Sequence, residues 1–204
     1  MSVSDALTRP MTLLVTGFGP FPGMPRNPSA MVVAALARHR AAFVRKHIVL
    51  STQILPVLYD LAAAFSPAPA PDVIVHIGVA GRRRELSIET VAHNRRSPRH
   101  PDASGRAPTV LRSGATARHA IRAEWGARSL AMALRRAGVP VSPSRDAGAY
   151  VCNALLYRSL DSKCAPALFI HIPPARLCRP ERIAKALARV LPDVVTRFRQ
   201  IAVA

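Results

Sequence analysis

The chain has 204 residues, and 29 lysine and arginine residues against 11 aspartate and glutamate residues give a formal net charge of +18. This length suits one filled core, and a composition that is 50% hydrophobic excludes a largely disordered chain. Three cysteines make no paired disulfide framework, no apolar run reaches the length of a membrane span, and the first residues lack a secretion signal, so we expect a cytoplasmic protein.

The first half of the sequence alternates short apolar runs with helical stretches. Strands are predicted at residues 12–16, 48–54 and 73–77, and helices at residues 30–40 and 57–65. Asn27 before Pro28 is typical of an N-cap followed by the first residue of a helix. Three prolines in residues 66–71 predict a stiff connector before the third strand.

The second half continues this alternation after a long basic loop over residues 95–119. Strands are predicted at residues 86–91, 139–141 and 167–170, a turn at residues 142–144, and helices at residues 127–137, 151–160 and 181–190, the last one continuing beyond a break at Pro192. Strands separated by helices favour a mostly parallel sheet covered on both faces. The sequence therefore predicts an α/β fold, a three-layer α/β/α sandwich, with a flexible extension over residues 1–10 and a single domain over residues 11–204.

The strong positive charge raises the question of a polyanion partner. Arginines are scattered over every segment, however, and no nucleic-acid-binding motif is visible. We therefore do not expect nucleic acid as a partner. A basic polyanion-binding protein with weak or lost catalysis is kept as the alternative.

Cys152 is the candidate nucleophile, because a turn-forming stretch at residues 144–153 places it at the start of a helix. Backbone N–H groups at a helix N-terminus favour a thiolate. His171 ends an apolar strand and Glu89 lies in an alternating one, so a Cys–His–acid arrangement is predicted at the strand ends. Taken singly, each residue has a structural reading: a buried thiol, a strand-end histidine and a solvated glutamate. A zinc site is not expected from His171 with Cys164 and Cys178, since structural zinc needs four ligands.

Three blocks of the sequence together resemble the pyroglutamyl peptidase I family. The blocks are residues 16–23 with Asn27-Pro28, residues 88–94 with Arg99 and Pro101-Asp102, and residues 147–153 with residues 169–173. The resemblance implies a peptidase, without metal or organic cofactor, that removes N-terminal 5-oxoproline (pyroglutamate) from peptides. It implies Cys152 as nucleophile, His171 as general base and then acid, and Glu89 as the carboxylate that orients the imidazole.

The resemblance also implies further site residues. Arg99 matches a position linked to oxyanion stabilisation, and the matched substrate-binding positions are Phe18, Phe21, Val79, Tyr150 and Val151. The chain departs from the family pattern at Gly19, Pro22, Val79, Tyr150 and His100, which leaves open a changed substrate preference. Family members often self-associate, so a homo-oligomer is an expectation here as well.

Two opposite charges in contact stabilise each other. A pair formed by the Cys152 thiolate and the His171 imidazolium therefore predicts that the pKa of Cys152 lies below the free-thiol value of about 8.5.

Overall fold

The computed structural model describes residues 9–123 and 125–203, and for residues 200–203 only the course of the backbone. The flexible extension predicted over residues 1–10 therefore falls mostly outside the described residues. Arg9, the first of these, donates a hydrogen bond from Nη1 to Asp72 Oδ2 over 2.9 Å. Within the described part, no helix is long and apolar enough to cross a membrane.

A six-stranded sheet forms the middle of the molecule. Its strands are β1 (Met11–Phe18), β2 (Ile48–Leu55), β3 (Val73–Val79), β4 (Leu86–Glu89), β7 (Val141–Ser144) and β8 (Ala167–Ile172), in the spatial order β2-β1-β3-β8-β4-β7. The first four strands of that order are parallel to one another, whereas β4 runs antiparallel to β8 and parallel to β7. Two shorter strands, β5 (Val91–His93) and β6 (Ala120–Arg122), form a separate antiparallel pair.

Helices cover both faces of this sheet, which confirms the predicted three-layer sandwich. They are α1 (Pro28–Ala37), α2 (Arg40–Val44), α3 (Tyr59–Ala64), α4 (Ala127–Arg136), α5 (Val151–Ser162) and α6 (Pro180–Val203). One core cluster lies between the sheet and α1, α2, α4 and α6, and a second lies between the opposite sheet face and α3 and α5. Alternate residues of each central strand contribute to the two cores, as expected for strands buried on both faces.

The start of α1 matches its sequence signal. The side chain of Asn27 accepts a hydrogen bond from the Ser29 N–H, and Pro28 is the first helical residue. The helix predicted over residues 30–40 is confirmed up to Ala37, where α1 ends, and a separate helix, α2, begins at Arg40. The N–H groups of Arg38 and His39 bond to carbonyl groups three residues earlier, which tightens the chain and turns it between the helices.

The predicted break at Pro192 is wrong, because α6 continues through it to Val203. A mid-helix proline removes one backbone hydrogen bond and destabilises a helix by about 3 kcal/mol. Buried apolar residues on both sides of the proline outweigh that cost, at about 1.5–3 kcal/mol for each fully buried side chain. They include Ile183, Leu187, Leu191 and Val195.

The turn predicted over residues 142–144 belongs instead to the edge strand β7, which begins two residues later than predicted. Pro143 lies opposite Ile88 of β4. An edge strand tolerates a residue without an N–H group, because its outer side has no neighbour to bond.

Candidate active site

Glu89 and His171 are joined at adjacent strands of the sheet. Glu89 ends β4, His171 lies near the end of β8, and the antiparallel pairing of Ser87 with His171 brings the two side chains together. His171 Nδ1 lies 2.7 Å from Glu89 Oε1, and Glu89 is completely buried. Since a carboxylate only accepts hydrogen bonds, Nδ1 carries the hydrogen and Nε2 of the neutral ring is left to receive a proton.

The thiol of Cys152 approaches the strand ends that carry Glu89 and His171 from the helix layer. Cys152 is the second residue of α5, on the sheet face to which Phe169 and His171 project. Gly78 pairs with His171 in register, and a Cβ atom at Gly78 would lie 3.0 Å from Cys152 Sγ. The absence of a side chain at Gly78 therefore lets the thiol approach β3 directly beside the position of His171. In this resting arrangement, no hydrogen bond among the described residues joins the thiol to the His171 ring.

The charge state of the thiol differs from the sequence expectation. Cys152 is half-buried, and protein groups surround it at the start of α5. Burial raises the pKa of Cys152 to about 12, the Glu89 carboxylate raises it further, and a backbone hydrogen bond at the helix start opposes the rise only in part. The prediction of a pKa below the free-thiol value is thus wrong for Cys152 in the folded chain.

Arg83 is a residue of this site that the sequence reasoning missed. Its Nη2 lies 2.8 Å from Glu89 Oε1, 3.1 Å from Ser144 Oγ and 2.9 Å from the carbonyl oxygen of Asp146. The sequence has three consecutive arginines at residues 82–84, and no pattern distinguishes the middle one. In the structure the two neighbours are exposed, whereas Arg83 is half-buried against the carboxylate.

Aromatic and apolar residues predicted to bind substrate divide between the two faces of the sheet. The Phe18 ring is 6.3 Å from that of Phe169, which is in turn 4.7 Å from the His171 ring. Three further predicted residues belong to the same core cluster or pack against it, namely Phe21, Tyr150 and Val151. Val79 packs instead against the cluster on the opposite face, because it follows Gly78 in β3 and side chains alternate along a strand.

The basic loop is held against the start of α5. Tyr150 donates from its hydroxyl to the Pro101 carbonyl over 3.1 Å, and Tyr59 donates to the His100 carbonyl over 3.2 Å. The two tyrosine rings meet edge to face at 5.6 Å. Arg99, the predicted oxyanion residue, is therefore next to an anchored segment, and its own side chain is exposed.

Two buried or half-buried asparagines organise the rest of the loop, and sequence reasoning did not single them out. Asn153, one residue after the candidate nucleophile, exchanges hydrogen bonds with the backbone of His93 and donates to the Arg95 carbonyl. Asn94 accepts from the N–H groups of Ser113 and Gly114, and its amide donates to carbonyl groups further along the loop. The strand pair β5–β6 closes the base of the loop.

Cysteine and histidine side chains outside this site form no evident metal centre. In the part of the chain that the structure describes, no three His, Cys, Asp or Glu side chains are grouped as metal ligands. Cys164 and Cys178 are free and half-buried. His76 is a core histidine, fully buried between Thr16 and Ser159.

Comparison of the whole chain with known proteins identifies its family. A family model described as pyroglutamyl peptidase matches residues 11–200. The chain belongs to the pyroglutamyl peptidase family. A pyrrolidone-carboxylate peptidase of Chromobacterium violaceum is 34% identical over 162 residues, which cover 79% of this chain and 77% of the relative. One from Streptococcus pyogenes is 34% identical over 168 residues, covering 80% and 78%.

Solved structures of family members have the same fold. Pyrrolidone carboxyl peptidase from Thermus thermophilus superposes with a TM-score of 0.76 at 31% identity, covering 88% of this chain and 98% of the other. Pyroglutamyl peptidase I from Bacillus amyloliquefaciens gives a TM-score of 0.78 at 25% identity, covering 93% and 98%. The family suggested by the three sequence blocks is thereby confirmed.

Proposed function

We propose that this protein is a cysteine peptidase that removes pyroglutamate from peptide N-termini with Cys152 as nucleophile, His171 as base and Glu89 as its orienting acid. The observation that carries this proposal is the convergence at the strand ends. The buried Glu89 carboxylate bonds to His171 Nδ1 at 2.7 Å, and the Cys152 thiol lies beside Gly78, the strand neighbour of His171. A nucleophile, a base and a group that orients the base are the three parts that acyl transfer of this kind requires.

The raised pKa of the thiol favours proton transfer during attack over a preformed ion pair. His171 Nε2 takes the Cys152 proton as Sγ bonds to the scissile carbonyl carbon, which gives a tetrahedral oxyanion. The imidazolium then returns the proton to the leaving amine, the C–N bond breaks, and a thioacyl-enzyme remains. Water, deprotonated by His171, attacks this thioester and releases pyroglutamate with the thiol. Glu89 stabilises the imidazolium in both halves of the cycle.

The oxyanion needs hydrogen-bond donors, and two sources lie near the nucleophile. N–H groups in the first turn of α5 have no partner within the helix. Arg99 is the second source that we propose, because the neighbouring residues His100 and Pro101 are tied to Tyr59 and Tyr150. A guanidinium in that segment would stabilise the developing charge of the transition state.

The substrate ring is small and uncharged, and we propose that it lies among Phe18, Phe21, Tyr150 and Val151. These residues line or pack against the apolar cluster behind Cys152. A peptide with an ordinary charged α-ammonium group would lose several kcal/mol by desolvation in such a setting. We do not assign the Val79 side chain to this pocket, since it packs on the other sheet face.

The decisive experiment measures release of aminomethylcoumarin from its pyroglutamyl amide. The wild-type protein should turn over, Cys152→Ala should abolish turnover, and Glu89→Gln should retain a reduced rate. Cys178→Ser is the matched control, because that thiol is also half-buried but lies outside the site. Turnover that survives the loss of Cys152 would contradict the mechanism.

The polyanion-binding alternative is less well supported by the loop contacts. Several arginines of the basic loop already bind other residues of the chain. Arg95 pairs with Asp146 and Arg118 with Asp161, and Arg96 stacks on the ring of Tyr59. Filter binding to duplex DNA at rising salt tests it, since phosphate contacts require affinity to fall steeply with salt. Self-association and a cytoplasmic location stay predictions.

A further inference from the structure

We propose that Arg83 is a positioning residue of the triad. It keeps Glu89 charged and links the segment before Cys152 to Glu89. The proposal rests on the function proposed above. Nothing in the sequence separates Arg83 from Arg82 and Arg84, so the assignment comes from its contacts in the folded chain.

The first part of the argument concerns the burial of Glu89. Its side chain has no exposed surface, and Oε2 is buried without a hydrogen-bond partner among the residues that the structure describes. All stabilisation of the carboxylate by direct contact therefore passes through Oε1, which lies 2.7 Å from His171 Nδ1 and 2.8 Å from Arg83 Nη2. A neutral imidazole alone offers a weak partner for a buried charge, whereas a guanidinium is always charged.

A second role follows from the other contacts of the same nitrogen. Arg83 Nη2 also reaches Ser144 Oγ at 3.1 Å and donates to the Asp146 carbonyl at 2.9 Å. Asp146 in turn accepts through Oδ1 from the Gly148 N–H at 2.8 Å, in the turn that leads into α5. One guanidinium thus joins the acid of the triad to the segment that delivers the nucleophile.

The charged and titratable groups around Glu89 determine the expected pH effect. Arg83 faces it from the segment before β4, His171 from β8 and Cys152 from α5. Removing the Arg83 charge makes protonation of the Glu89–His171 pair easier, whichever of the two takes the proton. Catalysis needs that pair without the extra proton, so activity should be lost at a higher pH on the acid side.

The test compares pH profiles of kcat/KM for wild type, Arg83→Met, Arg83→Gln and Arg83→Lys on the pyroglutamyl coumarin substrate. We expect both neutral variants to lose at least about tenfold in kcat, with the acid limb moved upward by at least about half a pH unit. Arg83→Lys keeps the charge, so its acid limb should stay in place, while kcat falls because the shorter ammonium side chain does not reproduce the contacts of Nη2 with Ser144 and Asp146. Arg84→Met, at an exposed neighbour, is the matched control and should resemble wild type.

A uniform loss at every pH in the neutral variants would overturn the proposal, because it would indicate only a structural role. A wild-type profile in Arg83→Met would overturn it as well. If circular dichroism shows that Arg83→Met does not fold, the acid limbs of Arg83→Gln and Arg83→Lys are compared instead, and the same outcomes decide. Absence of turnover in the wild-type enzyme would instead contradict the proposed function, so the two failures are distinguishable.

Discussion

Gly78 and the Cys152 thiol face each other without an intervening side chain, since a Cβ atom on Gly78 would lie 3.0 Å from Sγ. The same atom would lie 2.7 Å from Cζ of Phe169, the aromatic residue two positions before His171. The backbone of β3 at Gly78 therefore lies next to the Cys152 thiol, the Phe169 ring and the strand that carries His171. The geometry of the triad depends on a residue that contributes no side chain.

Gly78→Ala should reduce kcat/KM by more than about tenfold, because the added methyl group must push Phe169 or the thiol away from its position. Overpacking of this kind also destabilises a fold by about 1–3 kcal/mol. Gly81→Ala is the matched control, since a Cβ atom there would meet nothing within 4 Å. Steady-state kinetics and urea unfolding of both variants check the prediction, and equal kinetics for the two would contradict it.

The raised pKa of Cys152 predicts slow alkylation of the resting enzyme at neutral pH. In a Cys164→Ser/Cys178→Ser background, inactivation by iodoacetamide should be at least about tenfold slower at pH 7 than modification of a free thiol, and its rate should still rise above pH 9. The reason is that a thiol with a pKa near 12 is almost entirely protonated over this range. A rate that reaches its plateau below about pH 8 would show a preformed thiolate–imidazolium pair instead.

The sequence predicted the layers of the fold because the strands carry strong local signals. Continuous apolar runs marked β1, β3 and β8, and Asn27-Pro28 marked the start of α1, so both the sandwich and one helix boundary followed from local chemistry. The local sequence did not predict the path of the chain at Pro192 and Pro143. A proline signals a break locally, whereas packing of α6 and the edge position of β7 decide the outcome in the folded chain.

The candidate site was only partly predictable for a similar reason. Cys152, His171 and Glu89 lie in motifs that can be matched along the sequence, but Arg83 reaches Glu89 only through the fold. Val79 was assigned to the pocket from the family resemblance, whereas strand alternation directs its side chain to the other core. The pKa of Cys152 depends on enclosure by distant segments, which local sequence does not encode.

Asn94→Ala should make the basic loop more sensitive to trypsin. Asn94 holds residues 113–118 through hydrogen bonds to five backbone groups, two of which donate to its Oδ1 at 2.7 and 2.9 Å. Loss of these contacts frees a segment that Arg112 precedes and Arg118 ends, and cleavage follows the population of the open form. We expect cleavage after Arg112 or Arg118 to be at least about fivefold faster, as measured by mass spectrometry. Thr109→Ala, at an exposed loop position, is the control, and equal cleavage of the two would contradict this role.

His76 should make the protein less stable as the pH falls. It is fully buried in a core strand, where burial lowers its pKa to about 3. Its ring joins Thr16 Oγ1 at 2.7 Å and Ser159 Oγ at 2.9 Å, so the neutral form has a partner at each nitrogen. In the unfolded chain the same imidazole takes up a proton near pH 6.5. The stabilising contribution is therefore complete above pH 6.5 and declines as the pH falls toward 3, by at most about 1.4 kcal/mol per pH unit.

This dependence is testable by urea unfolding between pH 7 and 4, using the slope of the unfolding free energy against pH. His76→Gln offers a donor and an acceptor without a titrating ring, so its slope should be shallower than that of wild type by up to about 1.4 kcal/mol per pH unit. Comparing slopes removes the cost of repacking around the glutamine, and the carboxylates that also titrate are common to both proteins. His119→Gln, which replaces an exposed histidine, should leave the slope unchanged. Parallel curves for His76→Gln and wild type would mean that His76 does not resist protonation in the folded core.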